Sequence, residues 1–411
     1  MPIPPILDAL LPLAKTGNFF ACFKNELLGR KGSTVWADST ATEGNSGVAQ
    51  VLSENRGAYW KSGSVEERAE SHAASEVRLV YSLTAPRSFD FLAHGWSNCL
   101  VKWCGELWVG DPSDGVQHSS SVTYIEGASK IAAADVDWFL LGPPGRSITV
   151  GGASTQPGVY EIVSIDPLGG FAIVTPTPSL GDDIGLDVTF EATTPGELRA
   201  TTGWVSPVVA SEPGDFYFDD FSFAMRPSEE RLLELSSDMR MSSFYQLATP
   251  VYGIDHVRFR FDVADGINGV ADFIQIGLCF GGVLFQPFHN MSLGASIIPV
   301  DRSIKKRTAT GASVGLQRPV GSEISIALPW LSDDEAVQQI YLEWLKREGS
   351  FARAFVSKEN APKKRRLFYD GGAFIGCLES IDAVEIDSHE GDVGGLVVAK
   401  SVKGIRIQET E

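Results

Sequence analysis

At 411 residues the chain is longer than one hydrophobic core usually serves, so two or three domains are expected. Its 42 glycines and 22 prolines, within an ordinary apolar fraction of 43%, point to many strands joined by tight turns. A formal net charge of −18 argues against general binding to nucleic acid or to an anionic membrane surface, because both would repel it.

The five cysteines, Cys22, Cys99, Cys104, Cys279 and Cys377, are odd in number and lack Cys-x-x-Cys spacing. That pattern suggests neither a disulfide framework nor a zinc site, so a reducing cytoplasm and no metal or cofactor are expected. The apolar run Ile6 to Leu13 has no basic start and is broken by Asp8 and Pro12, unlike a secretory signal. No stretch approaches the roughly 18 unbroken apolar residues of a membrane span, and no membrane insertion is expected.

Residues 1–35 carry Pro2, Pro4, Pro5 and Pro12 and then Phe19-Phe20-Ala21-Cys22-Phe23. Proline density disfavours regular structure while the aromatic cluster seeks burial, which describes an arm that docks on its own domain or on a neighbouring subunit. Further on, Val77, Leu79, Tyr81 and Leu83 share one face at period two, the mark of a half-buried strand. Ala85-Pro86-Arg87 reads as a turn, and Phe89 to His94 begins another strand toward Asn98. This succession of Trp60, Val77 to Leu83, Pro86, Phe89 to Leu92, His94 and Asn98-Cys99-Leu100 resembles discoidin-like, galactose-binding-type β-sandwiches. The resemblance implies one such sandwich built from residues 36–120 and 200–280.

Between the two halves lies a stretch of different character. Ser147 to Val150 is a short strand, Gly151-Gly152 a turn, Gly158 to Ile165 a second alternating strand and Phe171 to Val174 a third. The stretch resembles a small β-barrel module that recurs in tailed-phage proteins. It reads as an insertion over residues 121–199, which loop-closure entropy tolerates because its cost grows only with the logarithm of length. The host resumes after Gly203-Trp204. In His256 to Asp262, Val257, Phe259 and Phe261 face inward and Arg258 and Arg260 outward, and Phe273 to Leu278 closes the sandwich.

The closing stretch, 281–411, holds a strand with Ile324, Ile326 and Leu328 on one face, ending at Pro329-Trp330. Ser332 then caps a helix, with Glu335 at its third position and Ala336, Val337, Ile340, Tyr341, Trp344 and Leu345 on one side. Phe285-Gln286-Pro287, Asn290, Ser292 to Ser296, Arg302-Ser303, Gly311, Gln317-Arg318-Pro319, this strand and this helix together resemble a family of minor tail proteins of long-tailed bacteriophages. Where such relatives are often rich in Arg, this chain has Val320-Gly321-Ser322-Glu323.

The resemblance implies a mainly β protein: a discoidin-like sandwich interrupted by a small barrel, then a tail-tube-like β domain with one packed helix. It implies a structural subunit of a tail tip or baseplate, assembled as a homo-oligomeric ring around the distal tube and located in the virion. The expected partners are other tail proteins, namely the tube, the hub and the tape-measure region, with no specific nucleic acid. A host-surface saccharide bound by the sandwich is the alternative, and no enzymatic activity is expected.

Individual motifs fit that reading. Gly311-Ala312-Ser313-Val314-Gly315 has the spacing of a nucleophile elbow, but a basic stretch precedes it and a strand follows, so it reads as coincidence. The neighbouring carboxylates Asp219-Asp220 and Asp333-Asp334 point apart on a strand or suit a helix's first turn, and His94 reads as a packed strand residue. Trp60, Trp96 and Trp103, with Trp108, are either core aromatics or a sugar-stacking platform. Asp111 and Asp114 suit a polar turn or a calcium ion. The basic clusters Lys305-Lys306-Arg307 and Lys363-Lys364-Arg365-Arg366 are either solvated loops or partners of acidic groups across a ring interface, and the first, with Phe19 and Phe20 of the arm, is assigned to an assembly interface.

Overall fold

The structure is a computed structural model. It describes residues 20–38, 40, 47–52, 59–64, 76–99, 101–112, 116–138, 141, 144–166, 170–205, 241–263, 273–287, 296–301, 304–307, 313–316, 320–331, 353–357, 373–381, 384–390 and 396–409. Phe19, Asp114, Asp219-Asp220, Lys363-Lys364-Arg365-Arg366 and the expected helix from Ser332 through Trp344 lie outside them.

In chain order the strands begin with β1 (Phe20–Cys22), β2 (Thr34–Ala37), β3 (Trp60–Lys61), β4 (Glu76–Ser97) and β5 (Trp103–Val109). Six follow in the insertion: β6 (Gln117–Ile125), β7 (Lys130–Ala132), β8 (Ser147–Gly152), β9 (Gly158–Ile165), β10 (Phe171–Thr175) and β11 (Gly181–Ala192). The host returns with β12 (Glu197–Thr201), β13 (Met241–Asp262) and β14 (Gln275–Gly282). The closing stretch supplies β15 (Ser296–Asp301), β16 (Ile304–Arg307), β17 (Ser313–Leu316), β18 (Val320–Leu331), β19 (Arg353–Ser357), β20 (Ala373–Ile381), β21 (Val384–Glu390) and β22 (Leu396–Glu409).

Among the described residues these form two seven-stranded sheets, a barrel and the two-stranded hairpin β16-β17. The first sheet runs β12-β5-β13-β4-β14-β3, with β2 beside β4, and the second runs β1-β19-β20-β22-β18-β15, with β21 beside β22. The insertion closes on itself as β10-β7-β6-β11-β8-β9. Its strands begin at Gln117, a few residues before the expected 121, and end at Ala192, while β12 already pairs with β5 of the host.

β4 and β13 form the spine, each 22 residues long and paired antiparallel from end to end with several register shifts. The expected turn at Pro86 is instead the middle of β4. Arg87 pairs with Ile254 and Ser82 with His256, leaving the residues between them outside the ladder, where a proline's missing N–H breaks no bond. Alternation along β13 buries Val257, Phe259 and Phe261 completely against Trp60, Leu79, Tyr81 and Trp103.

The sheets also share a core. Phe355 and Ile375 of the second sheet join Phe91, Phe244, Leu278 and Phe280 of the first in one buried cluster, with Cys22 and Leu28 from the arm. The described part of the arm, from Phe20 onward, therefore docks on its own chain. Phe20 to Cys22 pair with Ser357 to Phe355, and Phe23 stacks on Phe285 with ring centroids 5.4 Å apart. Residues 281–411, expected as a domain of their own, meet the first sheet through this aromatic cluster because β19 presents Phe355 to it. The barrel keeps a separate core of Tyr124, Ile131, Trp138, Ile148, Ile162 and Phe190 among others.

Candidate functional site

The alternation that sends Val257, Phe259 and Phe261 inward places His256, Arg258 and Arg260 on the opposite face of β13. Register sets Trp108 opposite His256 and Glu106 opposite Arg258 on β5, and Arg78 opposite Arg260 on β4. This face was expected to meet solvent. Instead Arg78, Glu106, Arg258, His256 and Trp108 are all buried. Sequence periodicity located these side chains but could not show what covers them.

Their charges are mutually held. Arg258 Nε donates to Glu106 Oε2 at 2.7 Å, and Arg260 Nη1 to Glu106 Oε1 at 3.0 Å. Arg260 also grips Glu76, through Nε and through Nη2 at 2.9 Å. Burial alone would raise the Glu76 carboxyl, but the bond from Arg260 and the charges of Arg78, Arg260 and Arg258 carry it below its ordinary range. Trp108 donates Nε1–H to Glu106 Oε2 at 3.1 Å and takes the Arg258 guanidinium over its ring at 5.1 Å.

Two contacts tie this face to the barrel. Arg78 Nη1 lies 3.3 Å from Asp38 Oδ2 and 3.4 Å from Asp137 Oδ2, and Asp137 belongs to the barrel segment. Asp38 also accepts the Arg78 backbone N–H at 2.9 Å. Burial nevertheless outweighs Arg78 and pushes the Asp38 carboxyl up to about 7. The second contact is at the neck, where the chain enters the barrel after Gly110 and leaves it before Gly196. His256 Nε2 is 3.0 Å from Asp111 Oδ1 and 3.2 Å from Arg146 Nη2, while Nδ1 faces Asp255 Oδ1 at 2.8 Å. Arg146 pairs with Asp111 as well. Burial pulls the imidazole down, yet the bonds to Asp111 and Asp255 outweigh it and raise its pKa.

The tryptophans singled out by sequence do not meet at a surface. Trp60 and Trp103 are fully buried and Trp96 is 4% exposed. Trp60 Nε1 donates to Thr40 and Trp103 Nε1 to Ser243, and Trp103 stacks on Phe259, so no ring face is free for a sugar. The platform reading of these three is therefore replaced by the core reading, because period-two aromatics on an inward face pack. Trp204, just after β12, is 47% exposed instead, with the Arg260 guanidinium 5.4 Å from its ring centroid.

His94 is fully buried, edge-on to Trp103 and Phe261. Phe20 contributes its backbone to β1, and Lys305 to Arg307 form β16, paired with Ser313 to Leu316. Ser313 thus opens a hairpin strand, not a strand-to-helix elbow. Among the described residues, no group of three or more His, Cys, Asp or Glu is placed to hold a metal ion. No described helix is long and apolar enough to cross a membrane.

The fold and this face define a two-sheet β protein with a closed barrel seated on it by ion pairs. No protein-family model matches the chain, and no curated protein does. Among solved structures it has slight similarity to chitosan-binding module 1 of a chitosanase/glucanase from Paenibacillus sp. IK-5, at 9% identity and a TM-score of 0.20, covering 63% of this chain and 99% of that one. The phage phi92 endosialidase is similar at 11% identity and a TM-score of 0.17, over 82% of this chain and 54% of that one. Similarities this slight carry no argument about function.

Proposed function

We propose that the chain is a structural subunit of a bacteriophage tail tip or baseplate that assembles around the distal tail tube. The observation that carries this reading is the insertion. The stretch whose sequence resembles a barrel module of tailed-phage proteins folds as a closed six-stranded barrel grafted between β5 and β12 of a sandwich. The charged side chains beside it support the same reading, since they hold one module on another. Assembly is tested with the triple charge reversal Lys305→Glu, Lys306→Glu, Arg307→Glu. The expected result is a folded protein that no longer forms rings by electron microscopy, and intact rings from the variant would remove the interface assignment.

A second reading, recognition of a host-surface saccharide, is favoured by Trp204. It is a half-exposed indole with the Arg260 guanidinium over its ring, and Arg260 in turn bonds Glu76; an indole can stack on a sugar and a partly exposed guanidinium can bond its hydroxyls. A glycan panel probed with the intact protein and with Trp204→Ala tests it.

A further inference from the structure

The neck of the barrel has the form of a hinge. Gly110 has φ +80°, and a Cβ on it would lie 3.1 Å from Gly196 Cα. A Cβ on Gly196 would lie 2.5 Å from Asp111 O. Two side-chain-free residues thus pass each other where both chain crossings enter and leave the barrel, joined by the Gly196 N–H bond to Asp111 O at 2.9 Å. Among the described residues, two side-chain contacts cross this hinge: His256 with Asp111 and Arg146, and Arg78 with Asp137.

We propose that these two contacts form a proton-controlled latch that fixes the barrel on the first sheet at acidic pH and frees it to swing about Gly110 and Gly196 as the pH rises. Each contact turns on one shared atom. His256 Nε2 sits within reach of both Asp111 and Arg146. As an imidazolium it donates to Asp111, across the hinge; as a neutral ring with its proton held on Nδ1 by Asp255 it loses that ion pair and keeps only the weaker acceptance from Arg146. Arg78 Nη1 sits between Asp38, on the host, and Asp137, on the barrel. A neutral Asp38 leaves the guanidinium's charge to Asp137, whereas an ionised Asp38 competes for it and repels Asp137.

The surroundings of both groups support one direction. Asp255 and Arg258 flank His256 on its own strand, Trp108 lies opposite on β5 and Ser82 on β4, with Asp111 and Arg146 from the neck and barrel. Around Arg78 and Asp38 stand Glu76, Arg258, Arg260, Glu106 and Asp137. The contacts raise the His256 pKa, so by linkage the proton favours the latched arrangement and its loss favours release. Burial lifts Asp38 to about 7, so its ionisation as the pH rises through neutrality weakens the second contact. Losing protons at either site therefore acts in one sense.

The test is a distance distribution by pulsed electron paramagnetic resonance on the full chain. Spin labels go at the exposed positions Val163 on the barrel and Tyr252 on β13, with the partly exposed Cys377 replaced by serine. A narrow distribution is expected at about pH 5.5 and one about twofold broader at about pH 8.5. His256→Gln is expected to be broad already at the lower pH, and Asp38→Asn to stay narrower at the higher one. Identical widths at both pH values in the unsubstituted chain overturn the proposal. So does a pH response that neither substitution alters. Should His256→Gln fail to fold, Asp38→Asn decides alone, since it retains the side chain's shape.

Discussion

Phe355 of the second sheet lies with its ring centroid 5.2 Å from that of Phe91 on β4, inclined at 53°. Both rings are completely buried, and Phe244 and Phe280 complete the cluster around them. The two sheets are thereby parts of one packing unit, although the residues that meet are separated by most of the chain.

Phe355→Ala should destabilise the protein by about 3–5 kcal/mol, the cost of deleting a buried ring and leaving a cavity. Because the ring bridges both sheets, denaturant unfolding should shift for the two together. A transition in which only the second sheet melts earlier would contradict a shared core.

Gly196→Ala tests the neck. The added methyl meets Asp111 O and the Gly110 backbone, neither of which can rotate away, so a loss on the order of 2 kcal/mol is expected. The barrel has its own core, and its melting should change less than that of the host.

Two buried groups give stability opposite pH slopes. His94 is held neutral by burial, its pKa lowered to about 3, so the unfolded chain takes up the proton first as pH falls through about 6.5. That contribution is lost progressively toward pH 3, by an amount on the order of 5 kcal/mol. Asp38, raised to about 7, binds its proton more tightly in the folded state, so stability falls as pH rises from about 4 toward 7. In chemical denaturation across pH, His94→Gln should remove the rise in stability between about pH 3 and 6.5 and Asp38→Asn the opposing fall between about pH 4 and 7; unchanged slopes would contradict these burials.

Saccharide binding, if present, should follow Trp204 and not the core tryptophans. Trp204→Ala should weaken it about tenfold, the loss of one stacking face. Trp103→Ala should lower stability by about 3–5 kcal/mol instead, because that ring is fully buried. Glycan-array signal that survives Trp204→Ala would remove the saccharide reading of this face.

Much of the fold was legible because strands write their own pattern. Gly158 to Ile165 alternates in sequence and in burial, whereas Val77 to Tyr81 and Val257 to Phe261 alternate in sequence but are buried on both faces except at Arg260, because ion pairs and the barrel cover the charged side. The candidate site was less legible for three physical reasons. A tryptophan that packs and one that stacks on a ligand share the same spacing, so Trp60, Trp96 and Trp103 were ambiguous until their burial was known. Arg258 and Arg260 alternate outward like solvated residues, and only register shows that Glu106 and Glu76 meet them and that the barrel's Asp137 and Arg146 reach the same face. Pro86 signals a turn locally, yet its place outside the ladder lets β4 continue. The joint at His256 carried one usable signal, a histidine next to Asp255 on the charged face it shares with Arg258 and Arg260, without its partners Arg146 and Asp111, 110 and 145 residues away in the chain.

The central claim, an assembling structural subunit, is tested most directly by the mass of the purified chain in solution, measured by light scattering at several concentrations. The account predicts a closed oligomer such as a trimer or hexamer, whose mass holds steady as concentration rises. A monomer at every concentration would contradict it.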